Sequence, residues 1–251
     1  MTFFLKTRLK SIMTPTVLEE YDVNIFFITD HADPHKVSEY FGSRIKKLVQ
    51  LDFEDKHLVD LEEVIKKYHV YYTYRKSNPH LFPHVLGPRD SYPHYFYKIY
   101  YACHEMKEYE QRENVTHDII FVIRPDTHFI NHVNPFLKQL EVDSYIQIFM
   151  SRDWGYFGRR DLFLSIAELI WDYGKYNFRE VIQHDAMVNV ENNYYLLGEY
   201  FAPGDGNRPE SPEVQLYETI MEYCVHHGFN DLKRAIHSLT FAVVNESRHK
   251  L

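Results

Sequence analysis

Residues 117–129 read His-Asp-Ile-Ile-Phe-Val-Ile-Arg-Pro-Asp-Thr-His-Phe, and this stretch constrains the fold more than any other. From Ile119 to Ile123 the side chains are apolar without interruption. Ile, Phe and Val favour extended backbone, and a continuous apolar run predicts a strand buried on both faces. Arg124, Pro125, Asp126 and His128 then follow within five residues. Pro125 cannot donate to a sheet ladder and biases Arg124 towards extended backbone, so the strand should end there. Ligands of open α/β sheets gather at the carboxyl ends of strands. Two residues apart, Asp126 and His128 share one side of an extended segment. Both can then reach one divalent cation, or one can bind metal while the other touches substrate. The plainer alternative is a polar loop, because Asp-x-His alone is a weak motif.

The chain of 251 residues has room for one large α/β domain or two small ones. A net charge of −8, from 28 basic and 36 acidic residues, argues against a nucleic-acid backbone binder, whose footprint is basic. Anionic small ligands stay open if a metal or a local Arg cluster offsets the field. The 21 Tyr and 18 Phe supply flat faces suited to a base or a sugar, although most belong to a core. Two cysteines, Cys103 and Cys224, without a Cys-x-x-Cys pattern, point to a reducing compartment such as the cytoplasm rather than a disulfide framework. No apolar run reaches the ~20 residues of a membrane span. Met1 to Leu9 carries Lys6 and Arg8 and does not read as a signal peptide.

Along the chain, a helix is expected over residues 3–21, broken or kinked at Pro15. A buried strand is expected over Val23–Thr29, then a polar turn, a helix over 35–48, a short charged helix over 58–68 and a strand over Val70–Tyr74. Residues 76–91 read as a long loop and Tyr95–Arg112 as a Tyr-rich helix. After the central strand come a turn of helix at Pro135–Leu140, a strand at Tyr145–Met150 and an amphipathic helix at Asp161–Tyr173. Residues 185–208 mix short strands with Gly and Pro. The last helices are 212–227, with Ser211 as N-cap and Pro212 at the first position, and 230–244. Strands alternating with helices predict an α/β class with a mostly parallel central sheet, formed as one domain with a less regular C-terminal third.

Four segments, in order, resemble GT-A-type nucleotide-sugar-dependent glycosyltransferases of large algal viruses and bacterial polysaccharide clusters. They are VNIFFITD, ending at Asp30; YFYKIYYACHEMKEYE followed by HDIIFVIRPDTHF; Asp153-Trp154-Gly155-Tyr156-Phe157-Gly158-Arg159-Arg160; and Pro212-Glu213-Val214-Gln215-Leu216. The family's opening strand and Gly-x-x-Arg turn have only Thr7-Arg8 as a counterpart, and Val122 stands where a second Arg is frequent.

The resemblance implies a single GT-A-like domain. Residues 1–130 would form the nucleotide-sugar half and 131–251 the acceptor half, and a viral chain would work in the host cytoplasm. It also implies a divalent cation, Mn²⁺ or Mg²⁺, on the diphosphate of a donor, UDP-linked by preference, held by Asp126 and His128; an imidazole ligand favours manganese. Arg124 is then a fork on phosphate or a surface ion pair with Asp118. Thr29 and Asp30 either touch uracil or ribose or cap a turn. Lys98 reaches a phosphate or snorkels along a helix face. Asp153 matches the family's acceptor-side Asp and would serve as general base in an inverting transfer, or else caps a turn or pairs with Arg152 or Arg159. Trp154 would stack on a sugar, while Tyr156 suits the core better. Glu213 either binds acceptor hydroxyls or simply complements a helix dipole. The implied partners are a nucleotide-sugar donor and a glycan or glycoprotein acceptor. Two alternatives keep the fold: a metal-independent transferase using Arg124, Arg159 or Arg160 on the diphosphate, and a non-catalytic glycan- or nucleotide-binding module.

Overall fold

The computed structural model describes residues 15–29, 34–52, 60–77, 91–123, 133–151, 155–171 and 212–238. They form an α/β arrangement of helices and a mixed sheet. The chain divides into two units, Met1–Leu51 with His104–Arg160 and Ile236–Leu251, and Asp52–Cys103 with Asp161–Ala235.

In the first unit, α1 spans Pro15–Glu20. Pro15 stands at the first position of this helix, where its fixed φ and missing N–H suit a first turn, and residues 3–14 of the expected helix lie outside the described residues. Strand β1 (Ile25–Thr29) leads through α2 (Pro34–Phe41) and a 3₁₀ turn (Gly42–Arg44) into β2 (Ile45–Gln50). The helix expected over 35–48 thus stops at Phe41, and Ile45 and Leu48 are strand residues. Gly42 takes a φ of +58°, a left-handed conformation that ends the helix and costs glycine little. β1 and β2 pair in parallel. Ile25 and Phe27 of β1, with Ile45 and Leu48 of β2, pack on a core of Val17, Val37, Phe41, Leu137 and Leu140. Phe26 alternates to the other face, edge-on to Tyr109 and His117.

Strands β3 (Ile119–Ile123), β4 (Ile148–Ser151), β5 (Gly155–Arg159) and β6 (Ile236–Ser238) form a four-stranded sheet in the order β3-β5-β4-β6. The mostly parallel sheet expected from alternation is corrected to a mixed one. β5 runs antiparallel to β3 and to β4, and only β4 and β6 are parallel. Three residues separate β4 from β5 in sequence, a connection that can join only antiparallel neighbours. The expected C-terminal helix is also cut short. Helix α8 spans Leu232–Ala235, after which Ile236 pairs with Ile148 in the sheet and is 2% exposed.

A row of rings crosses this sheet. Phe121 on β3 lies opposite Phe157 on β5, Phe157 opposite Phe149 on β4, and Phe149 opposite His237 on β6. Adjacent rings are 4.7 Å, 5.3 Å and 5.0 Å apart between centroids. The next row on the other face is Ile120, Gly158, Ile148 and Ile236. Both faces of β4 and β5 are buried, but Ile119 to Val122 of β3 are only half-buried. The doubly buried strand expected at 119–123 is therefore corrected: β3 ends the described strand order and pairs there with β5 alone.

The described elements of the second unit are all helical. It holds α3 (Leu61–Ser77), the first part of α4 (Ser91–Glu113), α6 (Arg160–Glu168) from Asp161, a 3₁₀ turn (Leu169–Trp171), α7 (Pro212–His226) and α8. The strand expected at Val70–Tyr74 is absent because α3 continues through it. Leu61, Val64 and Tyr68 recur at helical spacing and are buried, so packing outweighs the β propensity of Val70-Tyr71-Tyr72. Thr73 and Ser77 satisfy their hydroxyls on the carbonyls of His69 and Thr73, as helix residues do. Cys103 and Cys224 are buried and form no disulfide. Burial pushes the Cys224 thiol up to about 12, so it stays protonated.

Gly158 has no room for a side chain. A Cβ there would run into the backbone oxygen of Gln147 and lie 3.0 Å from Ile148 Cα, both on the paired strand segment. Gly158→Ala is expected to cost roughly 3 kcal/mol, because strand backbone cannot yield as a flexible side chain would. Urea unfolding should show a lower midpoint with an unchanged slope; an unshifted midpoint would contradict this packing.

Candidate functional site: the entry to strand β3

Helix α4 ends where Asn114 adopts a left-handed φ of 53°, a conformation Asn tolerates, and Val115 donates back to the Glu110 carbonyl at 3.1 Å. This reversal returns the chain to the helix it has just left, so that His117 meets Glu110. The Glu110 carboxylate is 6% exposed and accepts four hydrogen bonds. Oε1 takes the His117 backbone N–H at 2.9 Å, His117 Nδ1 at 3.0 Å and Arg160 Nε at 3.1 Å. Oε2 takes Arg160 Nη2 at 2.6 Å. Burial alone would favour the neutral acid. The bonds from Arg160 and His117 outweigh it and hold the carboxyl down at about 2. The other ring nitrogen of His117 lies 3.2 Å from Asn24 Nδ2, just ahead of β1.

This cluster ties the end of α4, the entry to β3, the first residue of α6 and the approach to β1. Arg160 N–H also donates to the Asp118 carbonyl at 3.1 Å. With both ring nitrogens engaged and 14% of its side chain exposed, His117 is built to hold structure rather than to meet a substrate. A second buried carboxylate, Glu105 on α4, pairs with Lys47 on β2 at 3.0 Å. Together the two ion pairs tie α4 to β2 and to the first residue of α6.

Of the expected site residues, Thr29 is the last residue of β1, Lys98 sits half-buried on α4, and Glu213 belongs to the first turn of α7. Asp30, Arg124, Asp126, His128, Asp153 and Trp154 lie outside the described residues. Tyr156 is fully buried, in keeping with a core role. Arg159, named above as a possible diphosphate ligand, is engaged elsewhere. Its guanidinium donates to the carbonyls of Leu140 (2.6 Å), Asp143 (2.9 Å) and Ile146 (2.9 Å), closing the C-terminus of α5 (Asn134–Val142), where a cation is favoured. Arg160 is committed to Glu110. Among the described residues no cluster of three His, Cys, Asp or Glu side chains could hold a metal, and no helix is long and apolar enough to cross a membrane.

Sequence reasoning missed Glu110, Asn24 and the structural use of both arginines. Neither the seven-residue gap from Glu110 to His117 nor the fifty-residue gap to Arg160 matches any motif. Only the apolar-to-polar switch at His117 hinted that a strand entry lay there. Comparison of the chain with family models, curated proteins and solved structures returns no significant match.

Glu110→Ala would leave the Arg160 guanidinium, 24% exposed, without its carboxylate, and is expected to cost about 3–5 kcal/mol at neutral pH. The carboxyl titrates near 2 when folded and at ~4.3 when unfolded, so its contribution is complete above the unfolded value. It fades as pH falls from there through about 2. Urea titrations of both proteins should therefore converge in acid; a gap that persists at low pH would show that the ionised form is not what stabilises.

Proposed function

We propose that the chain is a metal-assisted glycosyltransferase that moves one sugar from a nucleoside-diphosphate sugar, UDP-linked by preference, to a glycan acceptor. One observation carries the reading. Strand β3 is described over Ile119–Ile123, and the sequence that follows its carboxyl end, Arg124-Pro125-Asp126-Thr127-His128, brings an acid, an imidazole and a guanidinium. β1 is likewise described to Thr29, and Asp30 follows it in the sequence. Strand ends of α/β sheets are where ligands collect.

The donor set of Asp126 and His128, a carboxylate oxygen and an imidazole nitrogen, fits Mn²⁺ and accommodates Mg²⁺ less readily. A cation bound there offsets the charge that builds on the diphosphate as the glycosidic bond breaks. Arg124 adds a forked donor to phosphate oxygen. Asp153 removes the proton from the acceptor hydroxyl, and attack from the face opposite the diphosphate inverts the anomeric centre. The internal bonds of Arg159 and Arg160 favour this reading over a transferase that relies on those two arginines for the leaving group.

A donor screen that reads nucleotide release, with UDP- and GDP-sugars, Mn²⁺ and mixed glycan acceptors, tests the proposal. Release should require the cation and fall about 100-fold or more in Asp126→Ala, the scale on which lost transition-state charge stabilisation is felt. Turnover that survives EDTA or Asp126→Ala would remove the metal from the mechanism. Nucleotide binding without turnover of any donor would make the chain a binding module.

A further inference from the structure

Parallel pairing of β1 and β2 brings their carboxyl ends side by side. The last register pair is Thr29 with Gln50, so the described ends of the two strands lie at one level. Helix α2 is the crossover between them. Gln50 closes β2, and the next residue, Leu51, is 2% exposed and pins the strand end to the interior. Gln50 itself is exposed, and among the described residues its amide has no hydrogen-bond partner. The two cations of the same strand are engaged elsewhere, Lys46 with the Ser43 carbonyl and Lys47 with Glu105. The result is an unused side-chain amide held on anchored strand backbone, where a binding group is placed more precisely than on a loop.

A parallel strand–helix–strand unit takes a nucleotide over the carboxyl ends of its strands, and a residue about twenty positions beyond the first strand meets the ribose. Gln50 stands twenty-one positions after Thr29. We propose, on the transferase reading above, that Gln50 reads the ribose of the donor nucleoside, its amide oxygen accepting a hydrogen bond from the 2′-hydroxyl. An amide oxygen is an acceptor with two lone pairs, and a hydroxyl supplies the proton it needs. The amide is also uncharged. In a chain of net charge −8, an acid at this place would add repulsion against a ligand that brings a diphosphate. Gln50 offers the same acceptor without that charge. It thereby distinguishes a ribonucleoside from a deoxyribonucleoside, a choice separate from the metal and from the base.

Isothermal titration calorimetry of the full-length protein with Mn²⁺ tests this, with UDP, GDP and their 2′-deoxy counterparts as probes. Whichever base binds, the ribonucleotide should bind about 3- to 10-fold more tightly than its deoxy form, the worth of one uncharged hydrogen bond. Gln50→Ala should lower the ribonucleotide to the affinity of the deoxy form and leave the deoxy form unchanged. Gln50→Glu, which keeps an acceptor at the same reach, should retain the preference. The thermal melts of both variants should match that of wild type, as expected of an exposed position, which separates lost recognition from lost folding. A wild type without ribose preference overturns the role of Gln50. So does a Gln50→Ala protein that binds both forms equally more weakly, or that keeps the wild-type preference. In each of these cases a nucleotide still binds and the transferase reading stands. Binding of none of the four nucleotides overturns both.

Discussion

A row of stacked rings holds the four-stranded sheet in register. Phe121, Phe157, Phe149 and His237 come from four separate strands, and each sits directly opposite the next. Side chains alternate along a strand, so a slip of one residue would send Phe157 and Phe149 to the other face and leave Gly158 in the row. The opposite face could not accept them. Gly158 lies there hard against Gln147 and Ile148, where even a methyl group does not fit. Ring stacking on one side and close backbone approach on the other thus select a single pairing. The positions at which β3 and β5 begin and end follow from it.

Ion pairs then set the ends of that sheet. Glu110 is costly to bury, and burial of a pair alone is weak evidence of stability. Here the carboxylate is satisfied by a guanidinium, an imidazole and a backbone N–H, so little desolvation is left uncompensated. Arg159, one residue before Arg160, closes α5 instead. Adjacent arginines in the Gly158-Arg159-Arg160 run therefore serve opposite ends of one region: the first joins β5 to α5, the second joins α6 to α4. What resembles a phosphate-facing basic pair in sequence is, in space, two separate clamps.

Local pattern was legible where one period dominated. The Tyr-rich helix ending near Arg112, the apolar strand from Ile119 to Ile123, and the helix opened by Pro212 all stand close to their expected positions. Pattern misled where two readings competed. Val70 to Tyr74 has strand propensity but continues the buried stripe of Leu61, Val64 and Tyr68. Ile45 and Leu48 fit a helical face with Val37 and Phe41, yet Gly42 ends that helix and releases them to pair with β1. Ile236 lay in an expected helix because nothing local reveals that β4 has an unfilled edge beside it.

The sequence by itself determined the alternation of helices and strands, the placement of acid, imidazole and guanidinium immediately after the central apolar run, and the absence of a cysteine framework. These rest on side-chain type and period, which need no partner to be read. Tertiary structure alone decided that the sheet is mixed, that β3 is half-buried, and that Glu110, His117, Arg160 and Asn24 meet. Strand direction depends on which segments lie side by side, and the buried Glu110 carboxylate depends on a partner fifty residues away in the chain. Neither is carried by any short stretch of residues, because both are properties of pairs that only folding brings together.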